Sequence, residues 1–501
     1  MIVSSLRKEP FLSKSKYLAG LKCLKLLWMH YHAKDQFPPT DPETQARFDQ
    51  GHRVTRLFQT LFPGGIEIPG ADDFDQVIQE TQSALSLKKP LFEPGFRYKN
   101  TYARADVLVP GRDGRWDLYE VKSASKVKDT YYPDVAFQKY CYEGAGIRIR
   151  KTYLVHINNE YILDGALDPK ALFTQEDITD EIGEWVDRVE PEVDRMMEVL
   201  KLAECPQVKI GVQCDDPYEC PLKSLCWQHI PEDSVFVFNK IRRDKAFAFI
   251  DDGFLRAQDV PLEQLKSTSH QIVYKCHVEN KIHTDRGAIR AFIKRLEFPV
   301  HFIDFETVGA AIPLYNGTRP FQQVPFQFSL HISSGPDQEL KHHAFLAKGA
   351  GDPRPEFLSR LRAFIGPKGT ILAYNLSFER GKLQDSVDAY PEYKDWLNEI
   401  DERLLDLMAP FQKFDFYDPK QLGMYSIKSV YPALIGGSYE GMTISDGSQA
   451  SREYARVTFS DGITEEDRRR VYDGLLEYCK LDTQAMIDVL KVLQSVADPK
   501  G

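Results

Sequence analysis

The chain has 501 residues, enough for about three domains of roughly 150 residues each. It carries 64 basic and 74 acidic residues, a net charge of −10, and its 42% hydrophobic and 28% charged residues are ordinary for a folded globular protein. No apolar run reaches the roughly 20 residues that a membrane span requires, and the N-terminus has no apolar signal core, so we expect a cytoplasmic protein. Because the chain is acidic, contacts with nucleic acid must come from local basic patches.

Strand and helix patterns alternate in two parts of the chain. Between about 95 and 158, TYARADVLVP and RWDLYEVKS are predicted strands around the turn GRDG, followed by a helix over DVAFQKYCYEGAG and a strand over KTYLVHIN. Further on, FPVHFIDFET is a predicted strand, GTILAYNLSFERGKL a strand and helix, and the segment beginning at 465 a long amphipathic helix. We therefore predict two α/β domains, over 1–230 and 296–501, joined by a connecting segment over 231–295.

The first predicted domain carries acids and a lysine on neighbouring strands. Asp106 lies on one strand, and Glu120 and Lys122 lie two apart on the next, so their side chains leave the same face. Such carboxylates hold a divalent cation that activates water, and a lysine stabilises charge on a phosphate, which suits phosphodiester hydrolysis. Taken alone, residues of this kind are more often solvated surface charge.

Polar residues on two predicted helices and one loop accompany this group. Gln138 and Tyr142 are four apart, so they share a face of the helix that follows the strands. His52 lies upstream in RFDQGHRVTRLF, where a lone histidine is more often structural. Lys126 and Lys128 follow the active-site strand and are candidate contacts for backbone phosphates, although most such lysines are only solvated.

Cysteines are unevenly distributed. Cys214, Cys220 and Cys226 fall within CDDPYECPLKSLCW, and Cys23 lies far upstream in GLKCLKLLW. Clustered cysteines in a cytosolic chain indicate a metal site. Structural zinc sites usually contain pairs separated by two to four residues, and both gaps here are five, so neither gap fits that pattern. Possible substitute ligands are Cys205, His30 and His229, whereas Cys141, Cys276 and Cys479 are expected to be packing residues.

The order His, Asp, Glu-x-Lys, Gln-x₃-Tyr and clustered cysteines resembles the PD-(D/E)XK nucleases of the RecB family, in particular its iron–sulfur members. The resemblance implies a restriction-endonuclease-like domain that binds Mg²⁺ or Mn²⁺ through His52, Asp106 and Glu120. It implies catalytic roles for Lys122, Gln138 and Tyr142. It also implies a [4Fe–4S] cluster held by Cys23, Cys214, Cys220 and Cys226. The spacing departs from the family, whose first two late cysteines are usually separated by two residues, and zinc remains the alternative metal.

A second set of acids lies in the C-terminal part. Asp304 and Glu306 are two apart on one predicted strand, so both side chains leave one face. Glu379 lies four residues after an asparagine in YNLSFER, and Tyr478 and Asp482 are four apart in EYCKLD. Each pair alone is weak evidence, because polar residues four apart usually form a solvated helix face.

Together these pairs resemble the DEDD exonucleases of the DnaQ-like, ribonuclease-H-like fold. The resemblance implies that Asp304, Glu306, Glu379 and Asp482 bind two Mg²⁺ or Mn²⁺ ions and that Tyr478 positions the attacking water. Relatives of this type usually carry aspartate at the position of Glu379, so Asp406 in RLLDLM is the alternative fourth acid.

The run YEVKSASKVKDTYYPDVAFQKY, the cysteine segment and HFIDFET together resemble an uncharacterised bacterial family known as domain of unknown function 2779, whose members are often called RecB-like nucleases. From this resemblance we expect a metal-dependent exodeoxyribonuclease with two phosphodiesterase sites, acting on DNA ends or single strands in repair or defence. Two alternatives remain open. One is a ribonuclease, since nothing in the sequence distinguishes RNA from DNA. The other is a nucleic-acid-binding protein whose nuclease folds are inactive.

Overall fold

Helices and strands alternate along the chain and build a mixed α/β fold. The computed structural model describes residues 10–70, 73–336 and 338–498. These residues form two units: unit 1 contains the chain up to Trp227 with Ala311–Pro313 and Thr318–Phe321, and unit 2 contains the remainder. Within the described residues, no helix combines the length and the apolar character needed to cross a membrane.

Unit 1 contains nine strands and eight α-helices among its described residues. In chain order they are β1 (Leu12–Ser13), α1 (Lys14–Lys22), α2 (Leu24–His32), α3 (Pro42–Gln59), β2 (Ile66–Glu67), α4 (Phe74–Leu85), β3 (Leu91–Phe92), β4 (Gly95–Tyr98), β5 (Thr101–Arg104), β6 (Val107–Pro110), β7 (Trp116–Lys122), α5 (Tyr132–Gly144), β8 (Ile149–Ile157), α6 (Pro169–Leu172), β9 (Phe173–Asp177), α7 (Gly183–Leu200) and α8 (Lys223–Cys226).

The main sheet of unit 1 has six strands in the order β2-β3-β6-β7-β8-β9, and β1, β5 and β4 form a separate sheet. β7 pairs antiparallel with β6 and parallel with β8, and all but the last of its residues are buried. Burial on both faces is expected of a central strand covered by helices. Val121 packs with Val54 and Phe58 of α3, whereas Glu120 on the opposite face contacts α5.

The segment TYARADVLVP, predicted as one strand, forms two. β5 ends at Arg104 in the three-stranded sheet and β6 begins at Val107 in the six-stranded sheet. Two hydrogen bonds account for the break. The buried Tyr142 hydroxyl accepts from the Ala105 amide at 2.8 Å, and the Asp106 carboxylate accepts from the Val121 amide at 2.6 Å. The chain therefore leaves one sheet and enters the other at the point where Asp106 is presented.

Unit 2 contains seven strands and ten α-helices among its described residues. In chain order they are α9 (Arg243–Asp251), α10 (Thr268–Glu279), β10 (His283–Thr284), α11 (Arg286–Ile293), β11 (Val300–Val308), β12 (Val324–Ser333), β13 (Lys341–Leu346), α12 (Arg354–Phe364), β14 (Ile371–Ala373), α13 (Leu376–Ala389), α14 (Lys394–Asp401), β15 (Leu404–Asp406), α15 (Ala409–Gln412), β16 (Phe416–Tyr417), α16 (Ile427–Ile435), α17 (Gly447–Phe459) and α18 (Glu465–Ala497).

The sheet of unit 2 has five strands in the order β13-β12-β11-β14-β15. The central strand β11 pairs antiparallel with β12 and parallel with β14, and β14 pairs parallel with β15. The helix α18 packs against β11 and β12. It buries a long apolar face that includes Leu475, Met486 and Leu493. The strand predicted in FPVHFIDFET is present but begins only at Val300, and the predicted long terminal helix is present as α18.

Residues between 228 and 299 belong to unit 2. They form α9, α10, β10 and α11, and β10 pairs with β16. Val235, Phe238 and Val273 build an apolar cluster there with Phe414 and Tyr417. This part of the chain therefore shares a core with the C-terminal residues.

Candidate active sites and metal centre

Carboxylates on β11 and α18 meet at one buried site in unit 2. Asp304 and Glu306 leave the same face of β11, because they are two residues apart on the strand. The ligand atoms of Asp304, Glu306 and Cys479 all lie within 4.8 Å of one another. Asp482 follows Cys479 by three residues on α18, so both side chains face the strand. The structure thus brings Asp304, Glu306 and Asp482, three of the acids singled out in the sequence, close together.

Burial and mutual repulsion perturb the ionisation of these acids. Burial, reinforced by the charge of Asp482, raises the pKa of Asp304 well above its ordinary value. Burial and the charge of Asp304 raise the pKa of Glu306 in the same way. Burial also raises the pKa of Asp482 to about 6, although a hydrogen bond from Tyr439 and the charge of Lys428 oppose this. A cluster of this kind is stabilised when a cation neutralises it.

Glu379 also contributes to this site. It lies in the first turn of α13, is only 3% exposed, and its Oε2 atom has no hydrogen-bond partner. Burial and the charge of Asp304 raise the pKa of this carboxyl. The alternative, Asp406, is engaged elsewhere: its Oδ1 atom accepts from the Asn375 amide at 3.1 Å and the Met408 amide at 2.9 Å. Glu379 therefore offers the freer ligand, and Asp406 holds the turn where α13 begins.

Two tyrosines and one lysine surround Asp482. The Tyr439 hydroxyl donates to Asp482 Oδ1 at 2.7 Å, and the ring centroids of Tyr439 and Tyr478 are 6.0 Å apart. Tyr478, predicted to position water, is 3% exposed, and burial together with the charge of Asp482 raises its pKa. The ammonium group of Lys428 lies 5.1 Å from the centroid of the Tyr478 ring. These groups place one cation and two hydroxyls beside the acid cluster.

In unit 1, Glu120 is the centre of a buried network of ion pairs. Its Oε1 atom accepts from the Lys122 amine at 2.7 Å and from the Lys14 amine at 2.9 Å. Its Oε2 atom accepts from the Gln138 amide at 2.7 Å. Asp134 on α5 accepts from Lys122 and, at 3.0 Å, from Gln138. Although burial opposes it, the charges of Lys122 and Lys14 hold the pKa of Asp134 below its ordinary range.

Asp106 lies at the edge of this network. Burial, reinforced by the charge of Glu120, raises the pKa of Asp106 well above its ordinary value. Burial also raises the pKa of Glu93, whose carboxyl is within electrostatic reach of Glu120 and His52. Tyr142 is fully buried, and its hydroxyl donates to the Pro94 carbonyl in addition to accepting from the backbone. The contacts of Tyr142 are thus those of a residue that positions Asp106.

The other predicted residues of unit 1 lie on exposed surfaces. His52 is on the exposed side of α3, and in the described chain no hydrogen bond or ion pair joins it to Asp106 or Glu120. Lys126 and Lys128 are exposed in the loop between β7 and α5. The structure thus brings Asp106, Glu120, Lys122 and Gln138 together and leaves both loop lysines open to solvent.

Four cysteines line one cavity in unit 1. Cys23, between α1 and α2, lines it with Cys214 and Cys220 of the loop that follows α7 and with Cys226 at the end of α8. All four carry free thiols. The loop folds back on itself because the Cys220 amide donates to the Cys214 carbonyl at 2.7 Å.

The donor set of this cavity fits a metal cluster. Four thiols from both ends of the unit converge on one space, which is the chemistry that an iron–sulfur cluster requires. Of the proposed substitutes, Cys205 packs in the same apolar cluster as Cys23, Cys220 and Cys226 but does not line the cavity. The ring of His30 stacks on Phe37 at 4.3 Å, and His229 is exposed and belongs to unit 2. Cys23 thus lines the cavity together with the three late cysteines, and none of these three candidate substitutes does.

Sequence reasoning missed several residues at these sites. Asp134 has a recognisable signal, since it precedes Gln138 by four residues on a buried helix face. Lys14 and Glu93 have none, because their contacts with the acids join distant segments of the chain. Cys479, expected to be a packing residue, donates toward Asp304 Oδ2 at 3.3 Å. Its position three residues before Asp482 is the signal that was available.

Comparison with known proteins supports the resemblance to the uncharacterised family. Residues 301–426 match the family described as a domain of unknown function (DUF2779), a segment that contains Asp304, Glu306 and Glu379. An uncharacterized protein of Ureaplasma parvum is 25% identical over 261 residues, covering 47% of this chain and 37% of that protein. An uncharacterized protein of Mycoplasma pneumoniae is 24% identical over 264 residues, covering 48% of this chain and 40% of that protein. The chain therefore aligns with at most two fifths of these relatives.

Proposed function

We propose that the chain is a metal-dependent deoxyribonuclease with two phosphodiesterase sites, one in each unit. Unit 1 is proposed to be a PD-(D/E)XK nuclease domain closed by a [4Fe–4S] cluster, and unit 2 a ribonuclease-H-like exonuclease domain that degrades DNA from 3′ ends. The observation that carries the proposal is the convergence of Asp304, Glu306, Glu379 and Asp482, from three separate elements, on one buried site.

The acids of unit 2 suit two divalent cations. Four carboxylates that repel one another in a buried site are stabilised by bound Mg²⁺ or Mn²⁺, and the unpartnered Oε2 of Glu379 is an available ligand. Cations held there by these carboxylates would activate water for attack and would neutralise charge on the leaving oxygen. In this proposal Tyr478 orients the attacking water, and the Lys428 ammonium group attracts the phosphate of the substrate.

The network of unit 1 suits the same chemistry with different residues. Asp106 and Glu120 are the proposed metal ligands, with the Glu93 carboxyl beside them. Lys122 is held in place by Glu120 and Asp134, so its ammonium group is positioned to neutralise charge on a phosphate. Gln138 orients Glu120 through a hydrogen bond to Oε2. The exposed lysines 126 and 128 are proposed contacts for the DNA backbone.

The experiment is a digestion of end-labelled DNA and RNA by protein purified without oxygen. Single- and double-stranded substrates labelled at either end are incubated with Mg²⁺ or Mn²⁺, and wild type is compared with Lys122→Ala and Asp304→Asn. Lys413→Ala, a change of an exposed lysine that is assigned to neither site, serves as the matched control.

We expect Asp304→Asn to lose shortening from the 3′ end and to keep the Lys122-dependent products, and Lys122→Ala to show the reverse. Loss of all products in either variant would contradict the assignment of two independent sites. If the protein degraded RNA and not DNA, the ribonuclease alternative would be supported and the deoxyribonuclease proposal would be wrong. If the wild-type protein bound DNA and did not cleave it, the alternative of a nucleic-acid-binding protein with inactive nuclease folds would be supported.

A further inference from the structure

Cys479 gives the acid cluster of unit 2 a ligand that magnesium chemistry does not use. Its side chain is fully buried and faces β11, with its Sγ atom 3.3 Å from Asp304 Oδ2 and 3.6 Å from the Asp304 carbonyl oxygen. The Sγ atom also lies within 4.8 Å of a carboxylate oxygen of Glu306. A thiol is therefore built into the wall of a site otherwise lined by oxygen donors.

Ligand softness separates the cations that such a site accepts. Mg²⁺ takes oxygen ligands in octahedral geometry and gains nothing from sulfur. Zn²⁺ and Cd²⁺ accept thiolate together with carboxylate, and zinc prefers four ligands at about 2.0–2.3 Å. In a tetrahedral zinc site with these bond lengths, neighbouring ligand atoms lie about 3.5 Å apart. The ligand atoms of Asp304, Glu306 and Cys479 are already within 4.8 Å of one another, so small side-chain movements would bring them to that spacing.

We infer that Asp304, Glu306 and Cys479 form a zinc-binding site, with Asp482 or water as the fourth ligand, and that zinc held there inhibits the hydrolysis proposed for unit 2. On binding, the S–H bond of Cys479 breaks, its proton passes to solvent, and the sulfur donates an electron pair to the cation; nothing is oxidised or reduced. The inhibition rests on the proposed function, whereas the zinc site does not.

Inhibition follows from the geometry of the ligands. Asp304 and Glu306 are the carboxylates that the proposed reaction needs for its catalytic cations, so a zinc ion bound by both displaces those cations. A tetrahedral site closed by a thiolate also has fewer positions for water than an octahedral magnesium site. Zinc is expected to compete with Mg²⁺ or Mn²⁺ for the carboxylates.

Cadmium binding tests the site without any enzyme assay. Full-length protein with its cluster intact is titrated with CdCl₂, and the ultraviolet charge-transfer absorbance of the cadmium–thiolate bond is recorded. Wild type is compared with Cys479→Ser and with Cys276→Ser, a matched change of another buried cysteine in unit 2. Zinc affinity is then measured by calorimetry, and zinc inhibition is measured on the Mn²⁺-dependent removal of 3′ nucleotides.

Wild type and Cys276→Ser should gain an absorbance band that Cys479→Ser lacks. The zinc affinity of Cys479→Ser should fall roughly 10- to 100-fold. Loss of a residue that only hydrogen-bonds to a metal ligand already has an effect of this size, so loss of a ligand should have at least the same effect. Equal bands and equal zinc affinity in wild type and Cys479→Ser would overturn the inference. Should Cys479→Ser fail to fold by circular dichroism, Asp304→Asn is the second variant, and unchanged cadmium affinity in it overturns the inference equally.

The outcomes separate the zinc site from the proposed function. A Cys479-dependent band in a protein that cleaves no nucleic acid supports the zinc site and contradicts the nuclease. A nuclease whose 3′ activity resists zinc and whose spectrum shows no such band contradicts the zinc site and leaves the nuclease standing.

Discussion

At the scale of single residues, hydrogen bonds distinguish the two candidates for the fourth acid of unit 2. Glu379→Gln removes a charge that the structure leaves unpartnered beside Asp304, so exonuclease activity should fall by roughly 100-fold. Asp406→Asn keeps an oxygen that can accept from both amides of its turn, so activity should persist and the free energy of unfolding should fall by only about 1 kcal/mol. Initial rates with a 5′-labelled single strand measure the first effect and urea unfolding the second. Inactivity of Asp406→Asn alone would reverse the assignment.

The raised pKa of Asp482 predicts how pH affects the stability of unit 2 without metal. Burial places this pKa at about 6, against about 3.9 in an unfolded chain. As pH rises between these values the carboxyl of the unfolded chain loses its proton first, so the contribution of Asp482 to the stability falls and then stays constant above about pH 6. The difference corresponds to about 3 kcal/mol at most. In metal-free buffer, the melting temperature should fall less between about pH 4 and pH 6 for Asp482→Asn than for wild type. Melting temperatures that change with pH in the same way in wild type and Asp482→Asn would contradict the prediction.

At the scale of elements, α1 connects two features of unit 1. Lys14 at its first residue contacts Glu120, and Cys23 directly after its last residue lines the cysteine cavity. Loss of the proposed cluster is therefore expected to loosen the helix that carries Lys14. Cys23→Ser should lower both the iron content and the Lys122-dependent cleavage, and Cys205→Ser should lower neither. Iron analysis and visible absorbance after anaerobic purification measure the first effect. If Cys205→Ser lost the visible absorbance and Cys23→Ser kept it, Cys205 would be the ligand instead of Cys23.

Elements were predictable where their signal is local. The alternation of β7 and β11 and the periodicity of α18 each lie within one stretch of sequence, and the structure has these elements where the patterns predict them. The break between β5 and β6 was not predictable, because Tyr142, on a later helix, helps to produce it. Lys14 was missed for the same reason, since it meets Glu120 across 106 residues of chain. The spacing of Glu120 and Lys122 could be read from the sequence, and the pairing of Glu120 with the distant Lys14 could not.

At the scale of the whole molecule, two separate cores predict that damage to one unit spares the other. The apolar cores of the units are built from different residues, so they need not unfold together. Cys226→Ser should remove the visible absorbance and lower the melting temperature of unit 1, while Asp304-dependent exonuclease activity is retained. Calorimetry and the 3′ digestion assay on the same preparation check both statements. Loss of the exonuclease activity with the cluster would contradict them.

The loop between β11 and β12 has a consequence for dissecting the protein. Ala311 and Phe321 of this loop belong to unit 1, where Ala311 donates to Gln50 Oε1 at 3.2 Å and Leu163 donates to the Thr318 carbonyl at 3.0 Å. A gene fragment that stops after Trp227 would therefore omit part of its own core and expose the apolar surface around Phe58. Soluble expression of unit 1 alone would require this loop to be grafted onto the fragment or supplied as a separate peptide.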